Sequence, residues 1–173
     1  HRLNGVNPRA WFVTSARVED DTAALTLLAD HTFDLETTAL LPTGSGALAT
    51  RGEETVAAAI LLERPSPERL RIRVNAPGDG LLLLAENWMP GWRVEAETES
   101  VPHAPILGLP AFSVQRANLT LIAIPLPAGD HSFDLVYAPA SVATGLWISG
   151  ATVALIVALA GMRSVVRRRR GGR

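Results

Sequence analysis

The sequence has 173 residues, of which 47% are hydrophobic and 19% charged, so it is too apolar for a disordered chain and suits one domain with an appendage. Its 14 glycines and 12 prolines follow no period, which excludes collagen, and the lack of cysteine excludes disulfides, thiolate zinc sites and cysteine nucleophiles. The net charge of −1 is the sum of two regions of opposite charge. Six arginines after Met162 give the tail a charge of +6, and ten arginines against 17 acidic residues give residues 1–162 a charge of −7.

One helix is predicted in the first part of the chain. Residues 21–30 have an acid in the first turn and apolar residues at helical spacing. Asp20 and Asp21 lie where carboxylates satisfy the free N–H groups of a helix N-terminus, so we expect them to cap it. Residues 42–52 are predicted to form a flexible loop.

Strand patterns follow. Residues 69–74 alternate arginine with apolar residues, which predicts a half-buried strand, and residues 55–63 are expected to pair with it through a turn at 64–67. The apolar run 81–85 is predicted to be a fully buried strand. Further predicted elements are strands at 92–97, 112–116, 119–124 and 132–137 and a hairpin turn at 127–130.

These elements together predict a fold that is mainly β. About eight strands with turns roughly every 8–12 residues are typical of an antiparallel β-sandwich, here with one short helix. We expect this domain to occupy residues 1–141.

The end of the chain has the pattern of a membrane anchor. Residues 142–162 contain no charge over 21 positions, enough for a single transmembrane helix across the roughly 30 Å core of a bilayer. Residues 163–173 form an arginine-rich tail, which the positive-inside rule places in the cytoplasm and residues 1–141 outside it. The expected location is the bacterial inner (cytoplasmic) membrane. The predicted interface anchors are Trp147, Arg163, Arg167 and Arg168.

Small residues four apart recur along the predicted span. Such spacing lets another helix approach closely, so contact with other membrane subunits as well as lipid is expected, although alanine and glycine are also common in spans that contact only lipid. The candidate packing residues are Gly145, Ser149, Gly150, Ala154 and Ala158.

Four motifs point to a known family. The segment 86–93, Glu-Asn-Trp-Met-Pro-Gly-Trp-Arg, resembles one found in bacterial YfhO-like membrane proteins, which are large multi-span proteins similar to GT-C glycosyltransferases. Three further stretches match the family in the same order along the chain. They are residues 7–13 together with 33–34, residues 116–118, and residues 126–131 together with 137–139. The resemblance implies the C-terminal extracytoplasmic sandwich and last membrane helix of that family, without its acidic catalytic motif. Residues 97–110 depart from the family pattern through a proline-rich insert.

Candidate chemistry is sparse. The four histidines are far apart in sequence, no G-x-S-x-G turn is present, and the Asp-Asp and Asp-His pairs near residues 20 and 30 match no zinc or calcium spacing. We therefore expect no catalytic residues, no metal and no cofactor. A basic tail directly after a membrane span is typical of binding to anionic lipid headgroups. We therefore predict no nucleic acid partner.

The tryptophans of the 86–93 segment are the better functional candidates. Trp88 and Trp92 bracket a Met-Pro-Gly turn, where exposed indoles can stack on sugars or anchor a protein; packing into the core beneath the turn is the alternative. In the insert, His103, Ile106 and Leu107 are further candidate contact residues.

The sequence therefore predicts a non-catalytic, membrane-anchored structural or assembly subunit of a larger bacterial membrane complex, whose host can be respiratory, photosynthetic or transport machinery. The extracytoplasmic domain is expected to bind neighbouring subunits. The alternative is the C-terminal accessory domain of a multi-span GT-C-like glycosyltransferase, where it positions a sugar or acceptor carbohydrate. Because no leader or earlier span precedes residue 1, we expect the chain to be part of a longer polypeptide, as a processed product or a fragment.

Overall fold

The computed structural model describes residues 8–30, 32–49, 58–96 and 105–170. The chain divides into two compact units, His1–Tyr137 and Ala138–Arg173. In the described ranges the strands are β1 (Ala10–Val13), β2 (Ser15–Glu19), β3 (Thr38–Pro42), β4 (Ala59–Ser66), β5 (Arg69–Ala76), β6 (Gly80–Leu84), β7 (Trp92–Ala96), β8 (Gln115–Ala117), β9 (Leu121–Leu126) and β10 (Gly129–Tyr137), and the helices are α1 (Asp21–Ala29) and α2 (Ala140–Arg170). The prediction of a mainly β fold with antiparallel sheets and a short helix is confirmed.

Two four-stranded antiparallel sheets form the body of the first unit. The inner sheet has the order β1-β6-β9-β8 and the outer sheet the order β4-β5-β10-β7. Their apolar faces share one buried core, to which the inner sheet contributes Phe12, Leu82 and Ile124 and the outer sheet Ile72 and Phe133. This is the arrangement of a β-sandwich.

The inner sheet is covered on its second face as well. A second buried cluster joins Leu83 and Ala123 of that sheet to Ala39 and Leu41 of β3 and to Leu109. Because both faces are covered, all five residues of β6 are buried, as the continuous apolar run predicted.

The cover includes a parallel strand pair that the sequence analysis did not predict. Strands β2 and β3 are parallel, with Ser15 opposite Thr38, and α1 lies between them in the chain. Parallel neighbours need a crossover connection, which this helix supplies. The Asp20 carboxylate accepts hydrogen bonds from the backbone N–H groups of Thr22 (2.9 Å) and Ala23 (2.8 Å), so the predicted cap is confirmed for Asp20. Asp21, also expected to cap, is the first residue of the helix, and its carboxylate accepts from Arg116 at 2.7 Å instead.

The hairpin predicted at 127–130 is wrong. Strand β9 already pairs with β6 on one side and β8 on the other, so it has no free edge for β10. The chain instead crosses to the outer sheet, where β10 pairs with β5 and β7. The crossing is held by the Asp79 carboxylate, which accepts from the Ala128 N–H at 3.0 Å, and by the His131 ring, which lies 2.8 Å from the Pro127 carbonyl oxygen.

The second unit contains α2, which begins two residues before the predicted span and continues to Arg170. Its side chains are described from Ala140 to Ile156, apart from position 143. Within the part of the chain that the structure describes, no helix is long and apolar enough to cross a membrane. The predicted span 142–162 thus has no support there, and the side chains of residues 157–162 lie outside the described part.

Candidate functional site

The turn between β6 and β7 carries both candidate tryptophans; we term residues 86–92 the tryptophan turn. Trp92 lies opposite Tyr137 across the β7–β10 ladder, and their ring centroids are 5.2 Å apart. Its indole N–H donates to the Asn87 carbonyl oxygen at 3.2 Å, which closes the turn. Gly91 has φ of 119°, a conformation that favours glycine, so the Pro-Gly pair has a conformational role.

Both indoles are partly buried. Trp88 and Trp92 pack against the core shared by the two sheets, and the Trp88 backbone N–H donates to the Thr120 carbonyl oxygen at 2.6 Å. The tip of the turn is open instead, since Met89 is 43% exposed and Pro90 is exposed. The two tryptophans therefore hold the turn against the core of the sandwich, while Met89 and Pro90 are exposed to solvent.

Glu86 connects the turn to the residue before β1 and to β4. Its carboxylate accepts from Arg9, just before β1, at 3.1 Å, and from Arg64 in β4. Trp92 and Tyr137 make a second link at the same end of the sandwich. This end thus brings together Arg9, the segment 86–93 and Tyr137, each from a stretch on which the family resemblance depends.

The described part of the insert forms a tight turn. Ile106 and Leu109 exchange backbone hydrogen bonds of 2.8 and 2.9 Å around Leu107 and Gly108, both with positive φ. Ile106 is buried, and Leu107 is half-buried against the cluster that covers the inner sheet. The Leu107 carbonyl accepts from the Leu48 N–H at 2.8 Å, which joins the insert to the loop after β3. His103 lies outside the described residues.

The solvent face of the outer sheet carries a charge network that the sequence analysis missed. The Asp134 carboxylate accepts from Arg69 at 2.6 Å and from Arg71 at 3.2 Å, and Arg69 also donates to Glu95 at 3.1 Å. The Asp134 side chain is only 10% exposed beneath these arginines. The alternating arginines of β5 were the available signal, but their partners lie on β10 and β7, which local spacing does not reveal.

The network shifts the proton affinities of its members. Burial on its own raises the pKa of the Asp134 carboxyl, but hydrogen bonds and charges from Arg69 and Arg71 outweigh it and hold that pKa below its usual range. The hydrogen bond from Arg93, aided by Arg69, lowers the pKa of Glu95. The hydrogen bond to Asp134 raises the pKa of Arg69. All three groups therefore keep their charges at neutral pH.

A shallow hollow of about 540 Å³ lies at the edge of the outer sheet. Its polar lining includes the exposed side chains Arg73, Asn75 and Asp130, and its apolar lining includes Leu61. The Asn75 amide donates to the Asp130 carboxylate at 2.6 Å. The hollow offers guanidinium, amide and carboxylate groups to a polar ligand.

Helix α2 has an unusual surface. Seven large apolar side chains are between 59% and 81% exposed: Val142, Leu146, Trp147, Ile148, Val153, Leu155 and Ile156. At about 100° per residue they point in all directions around the helix axis. The hydroxyls of Thr144 and Thr152 donate to the carbonyls of Ala140 and Ile148, four residues earlier, at 3.1 and 2.9 Å.

The predicted packing residues of α2 whose side chains are described are all exposed. Gly145, Ser149, Gly150 and Ala154 are exposed on the helix, and a side chain built at either glycine meets no atom within 4 Å. The described side chains leave this surface open to another helix. The side chains that lie outside the described residues are Ala158, Arg163, Arg167 and Arg168.

Among the described residues, no three histidine, aspartate or glutamate side chains are grouped so that they could hold a metal ion. Comparison with known proteins finds no matching family model, no matching curated protein and no matching solved structure.

Proposed function

We propose that this chain is a non-catalytic, membrane-anchored subunit of a larger bacterial membrane complex. In this proposal residues 142–162 of α2 span the inner membrane once, the arginine-rich end lies in the cytoplasm, and the β-sandwich lies outside and binds neighbouring subunits. The observation that carries the proposal is the surface of α2, whose apolar side chains are exposed around its whole circumference.

A helix that is apolar on every side is stable only when protein or lipid surrounds it. Covering a Leu or Ile side chain stabilises by about 1.5–3 kcal/mol relative to leaving it in water, and α2 exposes four such residues: Leu146, Ile148, Leu155 and Ile156. The threonine hydroxyls that bond to their own helix backbone fit the same environment, because lipid offers no partner for a free hydroxyl.

The outer sheet supports the binding role of the sandwich. Its solvent face has no second covering layer among the described elements, unlike the inner sheet, and its charged groups are already ordered by ion pairs. Ordered charges favour specific recognition of a complementary surface. The −7 charge is a property of residues 1–141 as a whole and not of this arginine-bearing face, and it leads us to expect a basic or polar partner surface for the domain.

The anchor is tested with the full chain reconstituted into lipid vesicles. We expect the wild type to float with the vesicles and to resist alkaline carbonate, and the variant Val153→Arg/Leu155→Arg to be extracted, since each charge near the centre of a span costs about 2.5–3.5 kcal/mol. The matched control, Val153→Leu/Leu155→Ile, should remain bound. Extraction of the wild type, or equal retention of the arginine variant, would contradict the anchor.

The subunit role is tested by mild solubilisation of the native membrane followed by size fractionation. We expect the chain in a particle much larger than its own 18.4 kDa. Migration alone, at its own mass, would show that it is not a subunit.

The second candidate is the C-terminal accessory domain of a multi-span GT-C-like glycosyltransferase. Two observations favour it: segments that resemble the family meet at one end of the sandwich through Arg9–Glu86 and Trp92–Tyr137, and the hollow beside Arg73 presents polar groups suited to a carbohydrate.

Intact-mass measurement of the native polypeptide separates the two candidates, because a species several times larger than 18.4 kDa favours the second. Sugar titration then compares the wild type with Arg73→Ala and Trp92→Ala. Absence of binding in all three would count against the sugar-positioning role.

A further inference from the structure

We propose that the tip of the tryptophan turn, Met89 with Pro90, rests in the headgroup region of the bilayer and gives the sandwich a second point of membrane contact. This inference depends on the proposed membrane anchor. It assigns the turn a lipid partner in place of a sugar or protein.

The tryptophan turn lies at the end of the sandwich where β7 begins and β10 ends. Trp92 begins β7 and lies opposite Tyr137, which ends β10. In an antiparallel pair, the residues before the start of one strand continue past the same end of the sheet as those after the end of its partner. The Met89 carbonyl oxygen is 3.5 Å from the Trp92 N–H nitrogen, so the tip stays close to this end.

A very short segment connects β10 to α2. Only Ala138 and Pro139 separate Tyr137 from Ala140, the first residue of α2. Three residue steps extend by at most about 11 Å. If α2 enters a bilayer, covalent geometry alone brings the Tyr137 end of the sandwich to the membrane surface, and the tryptophan turn belongs to that end.

The tip of the turn is apolar and has arginines beside it. Met89 and Pro90 form a small exposed apolar point, with two partly buried indoles behind it. Arg9, whose side chain is 69% exposed, and Arg64 flank it through their shared partner Glu86. Apolar and aromatic side chains with arginines beside them are the usual composition of segments at the lipid–water boundary.

The absence of cysteine from the sequence allows a direct test. Met89→Cys, in the full chain reconstituted into vesicles of phosphatidylcholine and phosphatidylglycerol, gives one site for a small environment-sensitive fluorophore. Ala128→Cys is the matched control, because Ala128 is exposed and directly precedes Gly129, which begins β10 roughly 26 Å from Tyr137 at its other end. A label at Leu146→Cys, within the proposed span, tests whether α2 enters the bilayer.

We expect nitroxide on the lipid headgroups to quench the label at position 89 severalfold more than the label at 128, and nitroxide on the acyl chains to quench the label at 146. Equal quenching at 89 and 128, with position 146 in lipid, would overturn this inference and leave the anchor intact. Loss of acyl-chain quenching at 146 would overturn both.

Discussion

The two sheets of the sandwich have the same number of described strands but opposite surroundings. The inner sheet is covered on both faces, so β6 is buried throughout and its sequence is a continuous apolar run. The outer sheet is covered on one face, so β5 alternates between arginines outside and apolar residues inside. The sequence of a strand therefore indicates whether one or both faces of its sheet are covered.

The largest expected effect comes from the inner sheet. Leu83→Ala should lower the free energy of unfolding by about 2–5 kcal/mol, because the fully buried side chain leaves a cavity. Leu61→Ala on the open face, where Leu61 is 51% exposed, should cost no more than about 0.5 kcal/mol. Urea unfolding of the two variants measures the difference, and similar losses would contradict the difference in burial between the two positions.

A smaller loss of stability should follow when a methyl group is added at a closely packed glycine of the same sheet. A Cβ at Gly80 would lie 2.5 Å from the Val13 carbonyl oxygen and 2.7 Å from the Phe12 ring, so Gly80→Ala should cost about 1–3 kcal/mol. Gly78→Ala, two residues earlier in open space, is the control and should be close to neutral. Thermal unfolding of the pair gives the result; a stable Gly80→Ala would show that the inner sheet has room to relax.

The outer sheet should respond to pH through Asp134. Its pKa is lower in the folded chain than in the unfolded one, so its stabilisation is present above the usual aspartate pKa and is lost as pH falls through the folded value. Asp134→Asn should lose about 1–2 kcal/mol at neutral pH and show a flatter stability profile below about pH 4. Glu68→Gln, at an exposed acid, is the control; an unchanged acid profile in Asp134→Asn would exclude this role.

The smallest effect is expected for the exposed ion pair at the edge of the outer sheet. Arg93 and Glu95 are 2.7 Å apart, with side chains 57% and 38% exposed. Water screens such pairs, so Arg93→Ala should leave the urea midpoint nearly unchanged. A shift as large as that of Asp134→Asn would mean that the whole charged face acts as one network.

Local patterns predicted what depends on local surroundings. The buried strand β6, the alternating strand β5 and the capped helix α1 each follow from a few neighbouring residues, and all three are confirmed. Strand partners depend on distant residues instead, which is why the hairpin at 127–130 was wrong and the parallel pair β2–β3 was not foreseen.

The same limit applies to the candidate site. Trp88 and Trp92 were identified from the sequence, but not the exposure of Met89 between them or the link from Glu86 to Arg9 and Arg64. Ile106 was a candidate for partner contact because its segment interrupts the strand rhythm. Its burial follows from tertiary packing that spacing does not encode.

The position of β10 also has a consequence for synthesis of the domain. This strand is the last of the sandwich to leave the ribosome, yet it lies between β5 and β7 and joins them into one sheet. Until residues 129–137 emerge, both neighbours have a free edge, a state prone to pairing with other chains. These edges of β5 and β7 therefore stay unpaired until almost the whole length of the sandwich has been made.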